Sequence, residues 1–272
     1  MNGLMVSQSE IFHNVKEKQY PNGLRKITVA SRNVYKEKGW ELSANSHGKK
    51  NIEISKPQNA DNDSRCDSIR RAKQKVFDIA SMNDFDYFIT FTLDESKIDR
   101  YSVPLVMKKL ENFLRNNVYR HDLKYLILPE KHKDGAIHMH GLISGDMKFI
   151  DSGTVQAPNH SKPIKLETAL KKGIPLDTCH TVYNMPQWSL GWSTAIRTYG
   201  DTVNCAKYIT KYITKDVQKI FGNFYYAGGN IVRDVPYSLY DIDYDSVECD
   251  KEFYCKQIET SFKFLEEMEV EQ

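Results

Sequence analysis

The chain is short of several features that would settle its class at once. Its five cysteines (Cys66, Cys179, Cys205, Cys249 and Cys255) are odd in number and form no Cys-x-x-Cys pair. That argues against a disulfide framework and a structural zinc site, and for a reduced, cytosolic protein. No apolar run approaches membrane-spanning length, and nothing near the N-terminus resembles a secretory h-region. A cytoplasmic location with no membrane partner is therefore expected. The sequence has no Gly-x-x-x-x-Gly-Lys-Ser/Thr loop, so no ATP-driven helicase module is visible, and no internal repeat.

What is present is an ordinary globular balance with an uneven distribution of charge. The 272 residues are 40% hydrophobic and 27% charged, enough for one substantial domain with extensions. The net charge of +2 conceals an asymmetry. Ser238 to Gln272 holds eleven acidic residues against three lysines, a net of −8, which leaves +10 on Met1 to Tyr237. A basic body suits a polyanionic partner. The acidic end reads as a solvated segment closing in a short helix.

Periodicity divides the chain further. Residues 1–60 are polar and irregular, with strand-like patches at Lys26–Ala30 and Asn51–Ser55, and Asn59–Ser64 reads as a linker. Helical spacing follows over Asp67–Met82 and Val103–Asn116. Strand alternation marks Asp86–Leu93, Leu123–Glu130 and Ala136–Ser144. Residues 145–180 read as a long loop, Trp188–Tyr199 as strand, Thr202–Gln218 as helix and Phe224–Tyr226 as a last strand. This order predicts an α+β domain of antiparallel strands with helices on one face.

Two segments carry the chemistry. In the first, His138 and His140 share one face of a strand while Ile137 and Met139 point away. A three-residue loop Lys133-Asp134-Gly135, with glycine in the left-handed position, would pair Glu130 with His138 on that same face. A two-residue turn would pair Glu130 with Met139 instead. Two imidazoles and a carboxylate leave positions open on a divalent ion for water or phosphate oxygens. His132, in the turn, reads as a solvated or DNA-facing residue.

The second segment is Tyr208-Ile-Thr-Lys211-Tyr212-Ile-Thr-Lys215. On a helical wheel Tyr208, Lys211, Tyr212 and Lys215 fall within an arc of about 100°. Val203, Ala206, Ile209, Ile213 and Val217 fall opposite, so the tyrosines lie on the non-core face. A phenol is a poor nucleophile at neutral pH, its pKa being near 10. A nearby ammonium or a metal-bound phosphate would favour the phenolate. A divalent metal beside tyrosine nucleophiles and fixed positive charge is equipment for breaking and rejoining a phosphodiester.

Together these residues resemble the rolling-circle replication initiators of the HUH endonuclease superfamily, and most nearly the two-tyrosine type of small single-stranded DNA phages. Phe88-Ile-Thr-Phe-Thr-Leu is similar to the first-strand motif, Glu130 with His138-Met-His140-Gly to the metal motif, and Tyr208–Lys215 to the nucleophile motif. The resemblance spans roughly residues 67–230. It implies a ferredoxin-like antiparallel sheet of about five strands with the metal, Mg2+ or Mn2+, on its central strands. It also implies nicking and rejoining of single-stranded origin DNA through a 5′-phosphotyrosine, in a bacterial host cytoplasm with a host helicase and DNA polymerase.

On this reading residues 1–60 form an N-terminal extension, 61–237 the endonuclease domain and 238–272 an acidic tail. Thr90, Thr92, Arg70, Lys73 and His132 are candidate DNA contacts. The alternatives are a plasmid relaxase or transposase of the same superfamily, or a basic DNA-binding regulator without chemistry. Relaxases usually carry a third histidine beside the pair, and single-tyrosine transposases only one tyrosine. A metal-hydrolase barrel would need more strand–helix units than this length supplies.

Overall fold

In the computed structural model the described residues are 10–37, 61–160, 162–213, 222–256 and 258–268. The strand-like patch at Asn51–Ser55 and the end of the tyrosine segment, Thr214 onward, lie outside them. The chain divides into two compact units, one of Gln58–Asp234 and one that joins Met1–Pro57 to Val235–Gln272.

The larger unit is α+β. In chain order it contains α1 (Asp61–Met82), β1 (Tyr87–Leu93), α2 (Val103–His121), β2 (Lys124–Lys131), β3 (Ile137–Ser144), β4 (Ile150–Gln156) and β5 (Ile164–Lys165). Then come α3 (Leu166–Lys171), β6 (His180–Asn184), β7 (Gly191–Arg197), α4 (Thr202–Ile209) and β8 (Tyr226–Gly228). The eight strands form one antiparallel sheet in the order β8-β2-β3-β1-β7-β6-β4-β5. That is more than the five or so strands expected. The extra ones come from the 145–180 segment, whose β4 pairs with β6 despite having only Ile150 and Val155 as apolar residues.

The core explains why β1 and β3 alternate. Tyr87, Ile89, Phe91 and Leu93 of β1, with Ile137 and Met139 of β3, pack on one side with Val106, Leu110 and Leu114 of α2. Burying one such aliphatic side chain is worth about 1.5–3 kcal/mol. Asp122, in the left-handed conformation at φ 46°, ends α2. The opposite side of β1 carries Phe88, Thr90 and Thr92, and Phe88 meets Tyr208 just inside the C-terminal end of α4 with ring centroids 5.2 Å apart. Helices therefore cover both faces of the sheet, not one as expected. Periodicity shows that a helix has an apolar stripe but not which side of the sheet receives it.

Gly141, immediately after His140, sits where β3 and β2 approach most closely. A Cβ there would lie 2.4 Å from Ile127 Cδ1 and 2.7 Å from the Leu126 carbonyl oxygen, closer than packed atoms tolerate. The absent side chain lets the hairpin strands keep the register that places His140.

The smaller unit corrects the picture of two separate ends. Its five antiparallel strands run in the order Tyr237–Tyr240, Val15–Gln19, Leu24–Ala30, Thr260–Met268 and Lys251–Cys255. The acidic end thus supplies three strands, and where a short closing helix was expected Thr260–Met268 pairs along most of its length with Leu24–Ala30. Val15, Ile27 and Val29 form its core, with Tyr240, Tyr244, Val247 and Leu265 against them.

Glu17 is buried in this unit, with its carboxylate held by Arg25 at 2.8 Å and by the Tyr240 hydroxyl at 2.8 Å. The Arg25 hydrogen bond, working against burial, brings its pKa from 4.5 down to about 2. Because the folded-state value is depressed, the stabilisation is complete above pH 4.5 and disappears as pH falls through about 2. Glu17→Gln is expected to remove on the order of 3 kcal/mol at neutral pH and to flatten the acid side of the stability profile. Urea titrations at pH 7 and pH 3 would check this.

Candidate functional site

The hairpin turn decides whether the metal-type residues meet. Gly135 takes φ 88° and donates its N–H to the His132 carbonyl at 2.8 Å, and the His132 N–H reaches the Ala136 carbonyl at 2.9 Å. Asp134 Oδ1 accepts from the Ala136 N–H at 3.0 Å and closes the loop. This three-residue turn pairs Lys131 with Ile137 and Glu130 with His138. On the other side of β3, β1 pairs Thr90 with His140 and Thr92 with His138. One row of the sheet therefore runs Glu130, His138, Thr92, and the next runs Leu128, His140, Thr90.

Within these rows His140 is held at both nitrogens. Its Nε2 lies 3.0 Å from Glu130 Oε2, and its Nδ1 lies 3.1 Å from Thr90 Oγ1. A carboxylate only accepts, so Nε2–H donates to Glu130 and the neutral ring accepts from the Thr90 hydroxyl at Nδ1. The hydrogen bond from His140 holds the Glu130 carboxyl below its usual value, against burial and with help from the charges of the three histidines. Thr90, a candidate DNA contact by sequence, is engaged with this histidine.

His138 points differently. Its ring lies on that of His132, with centroids 3.7 Å apart. Burial first, and then the neighbouring charges of His132 and His140, push its pKa down to about 4, so the ring is neutral at physiological pH. Among the described residues no group of three or more His, Cys, Asp or Glu is gathered as a metal cage. The donor types nevertheless suit a divalent ion. Glu130 and His140 already stand 3.0 Å apart, and two donors at about 2.1 Å on adjacent octahedral positions are separated by about 3 Å.

The tyrosines approach from α4. Asp201 caps this helix by accepting from the Asn204 N–H at 3.1 Å, and Ala206, Ile209 and Ile213 are buried. The α-helix stops at Ile209 and tightens to a 3-10 turn over Thr210–Tyr212, shorter than the helix expected. Thr210 Oγ1 bonds back to the Lys207 carbonyl at 2.9 Å, a competing bond typical of threonine in a helix. Tyr212 stacks on His140 with ring centroids 4.0 Å apart and planes 19° apart. Its hydroxyl donates to that of Tyr208 at 3.2 Å. Burial, then that hydrogen bond and the nearby charges, raise the Tyr212 pKa above the ordinary phenol value. Tyr208 is 47% exposed, and the Lys211 ammonium lies 5.3 Å from the centre of its ring.

The structure thus brings Glu130, His140, Thr90, Tyr212, Tyr208 and Lys211 into one chain of contacts, with His138 and His132 stacked beside it. Arg70 and Lys73 are on the exposed side of α1, and Lys215 lies outside the described residues. Sequence reading missed Phe88, whose ring lies 5.2 Å from Tyr208 and 6.3 Å from both Tyr212 and His140. The signal was its strand parity with Thr90 and Thr92. No helix among the described residues is long and apolar enough to cross a membrane.

Residues 86–217 match the family described as replication-associated protein ORF2. The matched stretch is 132 of 272 residues, just under half, and it contains Phe88–Leu93, Glu130, His138, His140 and both tyrosines. The match supports a rolling-circle replication protein in general. No curated protein and no solved structure gives a significant match.

Proposed function

We propose that the protein nicks and rejoins single-stranded origin DNA, using Tyr208 and Tyr212 as nucleophiles and a divalent metal. The observation that carries this reading is the stacking of Tyr212 on His140, which sets the tyrosine pair against the candidate metal ligands. Other folded proteins have tyrosine pairs or paired histidines, but their direct apposition suits phosphoryl transfer.

Glu130, His138 and His140 would hold Mg2+ or Mn2+, which when bound polarises the scissile phosphate. The tyrosine oxygen attacks phosphorus and its proton is lost. The phosphorus–3′-oxygen bond breaks, leaving a 5′-phosphotyrosyl link and a free 3′-hydroxyl. Lys211 favours the phenolate of Tyr208 by its charge, and Lys215 is proposed to do the same. Rejoining reverses the step, with the 3′-hydroxyl displacing tyrosine. Thr92, His132, Arg70 and Lys73 are proposed DNA contacts, and a host helicase and polymerase would extend the free 3′ end.

Thr90 has a role of its own on this account. With His140 Nε2 committed to a metal, Nδ1–H donates to Thr90 Oγ1 and the ring keeps its orientation. Thr90→Val keeps the shape and removes that partner. Metal affinity, measured as the Mn2+ dependence of cleavage, is expected to weaken about 10–100-fold. An unchanged Mn2+ dependence would contradict the assignment.

One observation favours a second reading, a DNA-binding regulator without chemistry: the three ligand candidates are not gathered in one cage. The two readings differ in their product. A single-stranded origin oligonucleotide incubated with the protein and Mn2+ should yield a 3′ end that a DNA polymerase extends, and chelation should abolish it. Binding without an extendable end would favour the regulator.

A further inference from the structure

The sheet face that carries Glu130 and the histidines continues across β1 onto β7. There the register pairs Trp192 with Thr92, so the row reads Glu130, His138, Thr92, Trp192. Trp192 is 62% exposed, whereas the residues that follow and alternate with it, Ser193 and Ala195, are buried on the other face. A single exposed apolar side chain means little by itself. Here the position matters, because the indole ends the row that starts at the candidate ligands.

The backbone holds it there. Gly191 lies so close to β1 that a Cβ on it would be 2.1 Å from the Thr92 carbonyl oxygen and 2.7 Å from the Asp94 nitrogen. Any other residue would push β7 away from β1 and tilt the indole. Neighbouring strands are about 4.8 Å apart, so Trp192 stands roughly 10 Å from His138, two strands away. An extended single strand of DNA, with its bases splayed onto a stacking surface, bridges such a span between one nucleotide and a near neighbour.

We propose that Trp192 forms a subsite for one unpaired base of single-stranded DNA, a base next to the phosphate held at the histidines. Stacking on the indole is sequence-tolerant and worth about 1–3 kcal/mol per base. It would set which phosphate reaches Tyr208 and Tyr212 rather than take part in the bond change. The proposal rests on the nicking reading for the neighbouring site, but it concerns binding alone and can fail separately.

The test uses the full chain with both tyrosines changed to Phe, in chelator, so that no cleavage intervenes. Labelled oligothymidylate is titrated into this protein and into its Trp192→Phe and Trp192→Leu derivatives. Tryptophan fluorescence should be quenched on binding, and Trp192→Phe should remove most of the quench. Trp192→Leu should weaken binding about tenfold, with Trp192→Phe restoring part of it. The salt dependence should stay unchanged, because no phosphate contact is lost.

Equal affinities for all three proteins, or a quench that survives in Trp192→Phe, would overturn the subsite. So would a loss in Trp192→Leu that alters the salt slope. In the protein with both tyrosines intact, unchanged binding by Trp192→Leu with a full yield of covalent adduct would remove the subsite and leave nicking standing. A Trp192-dependent quench without any adduct would do the reverse.

Discussion

Changing both tyrosines to phenylalanine is expected to reduce the covalent protein–DNA product by about 10³-fold or more, to the limit of detection. Phenylalanine keeps the ring that stacks on His140 and on Phe88, so packing survives and only the oxygen nucleophiles are lost. The single changes should behave differently from each other. Tyr208 is half exposed and lies by Lys211, whereas Tyr212 is more deeply set and donates to Tyr208. Tyr208→Phe removes the more accessible oxygen and should reduce first cleavage more. Tyr212→Phe leaves Tyr208 available and should impair rejoining more than cutting. Denaturing gels with 5′- and 3′-labelled single strands separate the two steps. Equal cleavage by the double variant and the unaltered protein would end the covalent account.

The second large effect belongs to the histidines. His138→Ala and His140→Ala should each reduce cleavage by at least about 10²-fold, since each removes a donor from a small ligand set. Affinity for DNA should change by less than about threefold, because phosphate contacts come mainly from basic side chains. His140→Ala also removes the surface on which Tyr212 stacks and the partners of Glu130 and Thr90. Its defect should therefore resist rescue by excess Mn2+, whereas that of His138→Ala, whose ring lies against His132, should be partly rescued. Cleavage measured across a Mn2+ titration distinguishes them.

Much of the site was legible because its residues obey short-range rules. Gly135 required a particular turn, that turn fixed the register, and the register put Glu130 opposite His138. The same local geometry placed Ile209 and Ile213 inward and the tyrosines outward. What escaped depends on distant partners. Val15–Gln19 and Tyr237–Tyr240 are far apart in sequence, and nothing local in either announces that they pair. The strand Ile150–Gln156 is polar because its side chains are mostly exposed, so alternation failed to mark it. Trp192 reads as one more aromatic until its pairing with Thr92 puts it in a row with the histidines.

The orientation of His138 shows where spacing ends. Sequence put both histidines on one face, and they are there, but which neighbour a ring settles against depends on the loop next to it. His132 supplied that neighbour. A DNA phosphate and a divalent ion would compete for the same imidazole, which makes His132 a residue whose loss should free His138 rather than disable it.

The most direct test is the chemical identity of the linkage. Single-stranded origin DNA is incubated with the protein and Mn2+, the product is denatured and digested, and the nucleotide-bearing peptide is sequenced by mass spectrometry. The account predicts a nucleotide on Tyr208 or Tyr212. A nucleotide on any other residue, or cut DNA with no peptide attached, would contradict it.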